Sequence, residues 1–282
     1  FNDTIYFDLK GPGEVKITSP THPDPDMYYN STLPVFSWEP PDEVAGIKGY
    51  SYMVDSSPLT QPTKVLYTPN NHLTGTFAGE FSGLAQGTWY FHITTADIYD
   101  QWGNTSHFRF NIDSAQPIFY ELSPEKGNWF NETTIRTSVV FEDVEGVGLD
   151  TESIQYAYRK SGEGRFSQWT AEKMEFEVLK ESAGKNPAQV RAWVYIELSE
   201  GSENAVRWRI TDLAGNGPVE SEMLLLKVDL TPVVFSAPVP GEDDVSNENY
   251  VSCGISIGDI GGSGVDGKTV EYSISKWGGG DD

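Results

Sequence analysis

Cysteine is almost absent: Cys253 stands alone in 282 residues. No disulfide can close within the chain, and a cysteine-rich metal site is excluded. Histidine is scarce too. His22, His72, His92 and His107 are the four, and none falls in His-Glu-X-X-His or another zinc spacing. Basic residues are few, 19 Lys and Arg against 42 Asp and Glu, for a formal charge of −23. Nucleic acid and anionic lipid are therefore not expected partners, because neutralising phosphate needs Lys and Arg. There is no glycine-rich loop opening a helix and no apolar run of membrane-spanning length. Catalysis and direct membrane insertion are not expected in this stretch, and any signal peptide or anchor is expected elsewhere in a longer parent. Helical periodicity is lacking as well, which points to an all-β chain.

What the chain does contain is a recurring phrase. Asp97-Ile98-Tyr99-Asp100-Gln101-Trp102-Gly103-Asn104 leads through Phe108-Arg109-Phe110-Asn111-Ile112-Asp113 to Pro117. Thr211-Asp212-Leu213-Ala214-Gly215-Asn216 leads through Leu225-Leu226-Lys227-Val228-Asp229 to Pro232. An abbreviated copy, Ile5-Tyr6-Phe7-Asp8-Leu9-Lys10-Gly11-Pro12, stands near the start. Each full copy reads as a Gly-Asn turn, an alternating strand and a proline-marked exit, with Trp102 in the place of Ala214. Pro12 and Pro117 are 105 positions apart, and Pro117 and Pro232 are 115 apart, the size of one β-sandwich. The expected organisation is a last strand and linker over 1–12, a sandwich over 13–116, a second over 117–231, and the first part of a third over 232–282. The chain is thus expected to be a stretch of an elongated tandem array, cut inside a domain at both ends.

In the first unit, strands are expected at 14–17, 35–38 and 49–55, with Phe36 and Trp38 on one face. The segment Leu84-Ala85-Gln86-Gly87-Thr88-Trp89-Tyr90 then carries a leucine, a glycine three residues on and a tyrosine three further. It resembles the fibronectin type III signature, with Gln86 where proline is common. That resemblance implies a tyrosine corner, in which the Tyr90 hydroxyl bonds back to the preceding loop. Trp38 is a second family-like feature. The second unit has expected strands near 134–141, 153–159, 176–179, 188–198, 205–211 and 222–228, with a polar loop over 180–187. Gly148-Leu149-Asp150-Thr151-Glu152-Ser153-Ile154-Gln155-Tyr156 aligns with Gly264-Val265-Asp266-Gly267-Lys268-Thr269-Val270-Glu271-Tyr272, placing the two tyrosines 116 apart. These two units resemble the Ig-like repeats of archaeal and bacterial surface proteins, including S-layer components. The fold class expected is all-β, tandem Ig-like and fibronectin type III sandwiches.

Divalent cations are the one ligand class that the composition favours, because Ca²⁺ takes six to eight hard oxygen ligands and Asp-rich turns supply them. The candidate ligands are Asp97, Asp100 and Asn104 in one loop, Asp143, Glu145 and Asp150 in the second unit, and Asp259 and Asp266 in the third. The competing and simpler account is that Asp and Asn favour turns for local reasons. Apart from calcium, no cofactor is expected. Four Asn-X-Ser/Thr sequons begin at Asn2, Asn30, Asn104 and Asn131, in turns or strand ends where a glycan could be carried. Trp102, Trp129 and Trp277 are aromatic loop residues suited to stacking on sugars or to packing between domains. Trp38, Trp193 and Trp208 are expected in or near the cores. The function expected is a non-catalytic structural or adhesive segment of an extracellular, cell-surface or secreted glycoprotein, acting as spacer, lattice component or partner-binding stalk. Its partners would be other domains of the array, neighbouring subunits or glycans. The alternative is an accessory module of a secreted hydrolase or protease whose catalytic domain lies outside this stretch.

Overall fold

The computed structural model describes residues 8–66, 75–78, 83–241 and 244–274. All its regular elements are strands. Of the last strand and linker expected over 1–12, only residues 8–12 are described, and none of them is in a strand.

The first module contains β1 (Lys16–Thr18), β2 (Tyr28–Tyr29), β3 (Val35–Glu39), β4 (Ile47–Asp55), β5 (Gly75–Ala78), β6 (Gly87–Asp97) and β7 (Ser106–Ile112). One sheet is ordered β1-β3-β5 and the other β2-β7-β6-β4, with β2 parallel to β7. Period-2 alternation decides what is inside. Phe36 and Trp38 of β3 point inward, against Phe91 and Ile93 of β6 and Phe110 and Ile112 of β7. Phe36 stacks on Phe91 with ring centroids 4.3 Å apart. Burying each such ring contributes roughly 1.5–3 kcal/mol, so aromatic packing carries this core.

The second module contains β8 (Ile118–Ser123), β9 (Trp129–Phe130), β10 (Thr134–Glu142), β11 (Leu149–Arg159), β12 (Glu175–Glu181), β13 (Pro187–Glu197), β14 (Gly201–Asp212), β15 (Val219–Glu220) and β16 (Leu224–Val228). Its sheets are β12-β13-β10-β8 and β11-β14-β16-β9. Leaving out the two-residue strands, the first, second, fifth and fourth strands share one sheet and the third, sixth and seventh share the other. That is the immunoglobulin arrangement. The first module has the same order without a fourth strand among the described residues. In β13 the clean alternation puts Val190, Ala192, Val194 and Ile196 inside. Trp193 is therefore on the outer face, half-buried beneath the Arg136 guanidinium at 5.1 Å, and is not a core residue as its strand position suggested. Trp208 is fully buried. On the opposite sheet's outer face, Arg207 lies over Phe166 and Trp169 at 4.5 and 4.6 Å, and Arg209 lies over Trp169 at 4.5 Å.

β17 (Val234–Val239) and β18 (Gly254–Gly258) form an antiparallel pair. They stand 116 residues after β8 and the end of β10. The repeat extends to backbone detail: Glu121 and Ala237, at matching positions, both have φ of 51°.

Candidate metal centre at the module junction

Three edge positions of the two sandwiches end in aspartate. Asp113 follows β7 and its N–H donates to Tyr29 O at 3.0 Å, which keeps it in the first module. Asp143 follows β10, and Asp212 is the last residue of β14. Where the modules meet, one carboxylate oxygen from each lies within 4.8 Å of the others. The three residues are 0, 3 and 2% exposed. Among the described residues this is the one such grouping, and no Lys, Arg or His forms an ion pair with any member.

Neutral donors hold the triad in place. Val147 N–H donates to Asp113 Oδ2 at 2.7 Å, and Gly148 N–H donates to Asp143 Oδ2 at 2.6 Å. The N–H groups of Ala214 and Asn216 donate to Asp212 Oδ1 at 2.9 and 2.8 Å. The Asn216 side chain spans the boundary: its Nδ2 donates to Asp212 Oδ2 at 2.7 Å and to Asp113 O at 2.8 Å. Asp143 Oδ1 is buried and accepts no hydrogen bond. The Asp143 carboxylate fits only because Gly146 has no side chain, since a Cβ there would overlap it. Gly148 is required by its φ of +122° and by Asn186, whose Cβ would stand 2.6 Å from any Cβ added at 148.

The electrostatics follow from that geometry. Burial pushes the Asp143 carboxyl up to about 6, opposed by the Gly148 amide and aided by the Asp113 and Asp212 charges. Burial also raises Asp212, against its Asn216 hydrogen bonds and with the Asp113 charge. The junction thus presents clustered, buried, hard oxygen atoms with no cationic side chain to offset them. Further bonds cross the boundary nearby. Asn30 Nδ2 donates to Gly215 O at 3.1 Å and Gln86 Nε2 to Glu145 O at 2.6 Å. A cleft of about 590 Å³ beside the triad is lined by Met27 and Tyr28 from one module and Val147 and Asn186 from the other.

Parts of the arrangement recur on both sides. At the next boundary, 116 residues on, Ser263 N–H donates to Asp229 Oδ2 at 3.0 Å and Gly264 N–H to Asp259 Oδ2, as Val147 and Gly148 do for Asp113 and Asp143. Before the first module, Gln101 Nε2 reaches Asp97 Oδ2 at 3.0 Å and Asp8 O at 3.3 Å, as Asn216 reaches Asp212 and Asp113. Among the described residues, no third carboxylate joins Asp8 and Asp97 in a cluster at that earlier boundary. Pro41 stands five residues before Gly46, where Asp143 stands five before Gly148, and the two glycine carbonyls accept equivalent bonds from Ile98 and Leu213.

The residues singled out from sequence are distributed differently from the expectation. Asp97 is buried, but Tyr99 and Gln101 N–H both donate to its Oδ1 at 2.8 Å, so it caps its own turn. Asp100 is exposed and paired with Lys48, and Asn104 is exposed. Among the described residues, Asp97 and Asp100 belong to no cluster of three ligand-bearing side chains. Glu145 is exposed, Asp150 Oδ1 accepts from Glu152 N–H at 3.1 Å, and Asp266 Oδ1 accepts from Lys268 N–H at 3.0 Å, both local turn bonds. Asp143 joins the triad and Asp259 joins Asp229. Asp113, Asp212 and Asp229 were not anticipated as ligands, although each recurs at a fixed place in the repeated phrase. The phrase itself needs a different register. Asp100 and Gly215 are the positive-φ residues of the two turns, so Gln101 matches Asn216 and Tyr99 matches Ala214.

Asn30, Asn104 and Asn131 are exposed, whereas Asn2 and Trp277 lie outside the described residues. Trp102 packs at the first boundary, its backbone against Gly11. Trp129 packs at the last, beside Gly262 and beneath Lys227. Trp38 is 3% exposed in the core. Tyr90 is half-buried on the outer face, stacked on His92 with centroids 6.2 Å apart. The bond back to the preceding loop comes from its neighbour, Trp89 Nε1 donating to Ala85 O at 2.8 Å, so the corner is closed by tryptophan.

No protein-family model and no curated protein sequence matches the chain. Among solved structures, Rst D1-D2 is similar over 75% of this chain and 99% of that one, at 7% identity and a TM-score of 0.42. The fibronectin(III)-like modules of Clostridium thermocellum CbhA match over 76% of this chain and 92% of theirs, at 13% identity and TM-score 0.30. The FN1–FN3 domains of chicken CNTN1 match over 88% and 75%, at 15% identity and TM-score 0.29. The class of the chain rests on its own strand order: an all-β run of fibronectin type III-like and Ig-like sandwich modules.

Proposed function

We propose that the chain is a non-catalytic structural segment of an extracellular or cell-surface protein, a spacer or stalk that sets the relative orientation of consecutive modules. The observation that carries this reading is the recurrence of one joint. An aspartate recurs at all three boundaries, met by a side-chain amide at the first and second and by a turn amide at the second and third, and Asn216, Val147, Asn30 and Gln86 all bond across the second. Relative motion of neighbouring domains is the default when few bonds cross their boundary, so side-chain bonds that do cross it restrict how one module turns on the next. The exposed sequons and the acidic surface support an extracellular setting.

Glycopeptide mass spectrometry on the protein from its native source tests this. Glycans are expected on Asn104 and Asn131, which are exposed, together with peptides from further modules of the same chain. Asn30 is expected bare, because its amide nitrogen is engaged with Gly215. Bare asparagines throughout, with peptides from a catalytic domain in the same chain, would overturn the spacer reading in favour of accessory modules of a secreted enzyme.

A further inference from the structure

We propose that a calcium ion is bound by Asp113, Asp143 and Asp212 and bridges the first two modules. Two independent observations carry this. The first is geometric: three carboxylates from two modules, each at least nine-tenths buried, converge without a cationic side chain. Oxygens that each lie about 2.4 Å from one ion can be up to about 4.8 Å apart, which the triad satisfies. The second is the Asp143 Oδ1 atom, buried and without a hydrogen-bond partner although its sister oxygen and both neighbouring carboxylates are well supplied with donors. A buried acceptor left open is costly unless something else meets it.

The chemistry of the donor set selects the ion. All three side chains offer hard oxygen, and neither His nor Cys belongs to the group, which disfavours zinc and copper. Magnesium keeps most of its water and demands a tight octahedron, whereas calcium accepts irregular carboxylate cages. The amides of Val147, Gly148, Ala214 and Asn216 hydrogen-bond the carboxylates, as supporting groups do in other metal sites. With Asp113 on one module and Asp143 and Asp212 on the next, the ion would tie the modules together. The boundary before the first module, with Pro41 at the corresponding position, should not take an ion. The inference deepens the spacer reading and rests on it for the purpose of the bridge, but the binding is tested separately.

The experiment is calcium titration calorimetry on the full chain near neutral pH, paired with thermal melts in calcium and in EDTA. One saturable site is expected. Asp143→Asn should weaken it by at least about tenfold through loss of a charged ligand, and Asp100→Asn should leave it unchanged. A merely structural Asp143 would behave differently in the melts. Asparagine keeps the acceptor for Gly148 and removes the buried charge. The variant should therefore melt at or above the unsubstituted chain in EDTA, yet below it in calcium. Absence of binding up to about 10 mM calcium, above the usual range of extracellular calcium modules, would overturn the proposal. So would undiminished binding in Asp143→Asn, or a variant that melts lower in both solutions. None of these failures depends on glycan occupancy, which tests the spacer reading.

Discussion

Asn216 Nδ2 donates to Asp113 O at 2.8 Å across the boundary between two modules, and it is buried where it does so. The same amide also holds Asp212. Replacing Asn216 by alanine leaves a buried carbonyl and a carboxylate oxygen each short of a donor. We expect a loss of about 1–3 kcal/mol in urea unfolding of the second module. Gln101→Ala, at the half-buried earlier boundary with its 3.3 Å bond to Asp8 O, should cost the first module less. Equal effects, or none at Asn216, would count against the joint.

Trp89 and Tyr90 reverse the roles that the fibronectin-like signature implies. Trp89→Phe removes the bond to Ala85 O and should destabilise the first module by about 1 kcal/mol. Tyr90→Phe keeps the ring that stacks on His92 and should change stability by no more than about 0.5 kcal/mol. Chemical denaturation of both variants decides which side chain closes the corner.

Arg207 and Arg209 interleave with Phe166 and Trp169 on the outer face of the second module. Trp169→Ala strips two guanidinium contacts and the apolar cover of both stems. A loss of about 1–3 kcal/mol is expected, measured by thermal melting of the second module. A neutral outcome would show that the ladder is decorative.

His22 provides a pH dependence. It is fully buried, with Nε2–H donating to Ser31 O at 3.1 Å and Nδ1 accepting from the Thr21 hydroxyl at 2.9 Å. Burial lowers its pKa from 6.5, against the pull of the Ser31 bond. Below that value the unfolded chain binds the proton more readily than the native module does. The contribution is therefore complete above about pH 6.5 and is lost as the pH falls through the lowered native value. The urea midpoint of the first module should drop between about pH 7 and pH 5, and His22→Gln should flatten the drop. Identical profiles for both proteins would contradict this.

Much of the fold was legible because it is written in short-range pattern. Alternation at Phe36 and Trp38 and at Val190 to Ile196 set the inward faces, and the 116-residue spacing of Tyr156 and Tyr272 marked the repeat. The joint was only half legible. Asp143 and Asp259 stood out as recurring acids, but Asp113 and Asp212 are 99 residues apart and meet only when two modules dock. Identity also misled: Gly103-Asn104 looks like Gly215-Asn216, whereas backbone conformation equates Asp100 with Gly215. Trp193 was misplaced for a related reason, since a β-strand buries alternate residues regardless of their size.

The most direct test of the joint is a distance distribution between the modules. Spin labels at Ser57→Cys and Glu163→Cys, both exposed, in a Cys253→Ser background would report it by pulsed dipolar spectroscopy. A calcium-braced joint predicts a single narrow distribution in calcium that broadens in EDTA, and a broad one in both solutions for Asp143→Asn. Distributions that do not change with calcium would contradict the account.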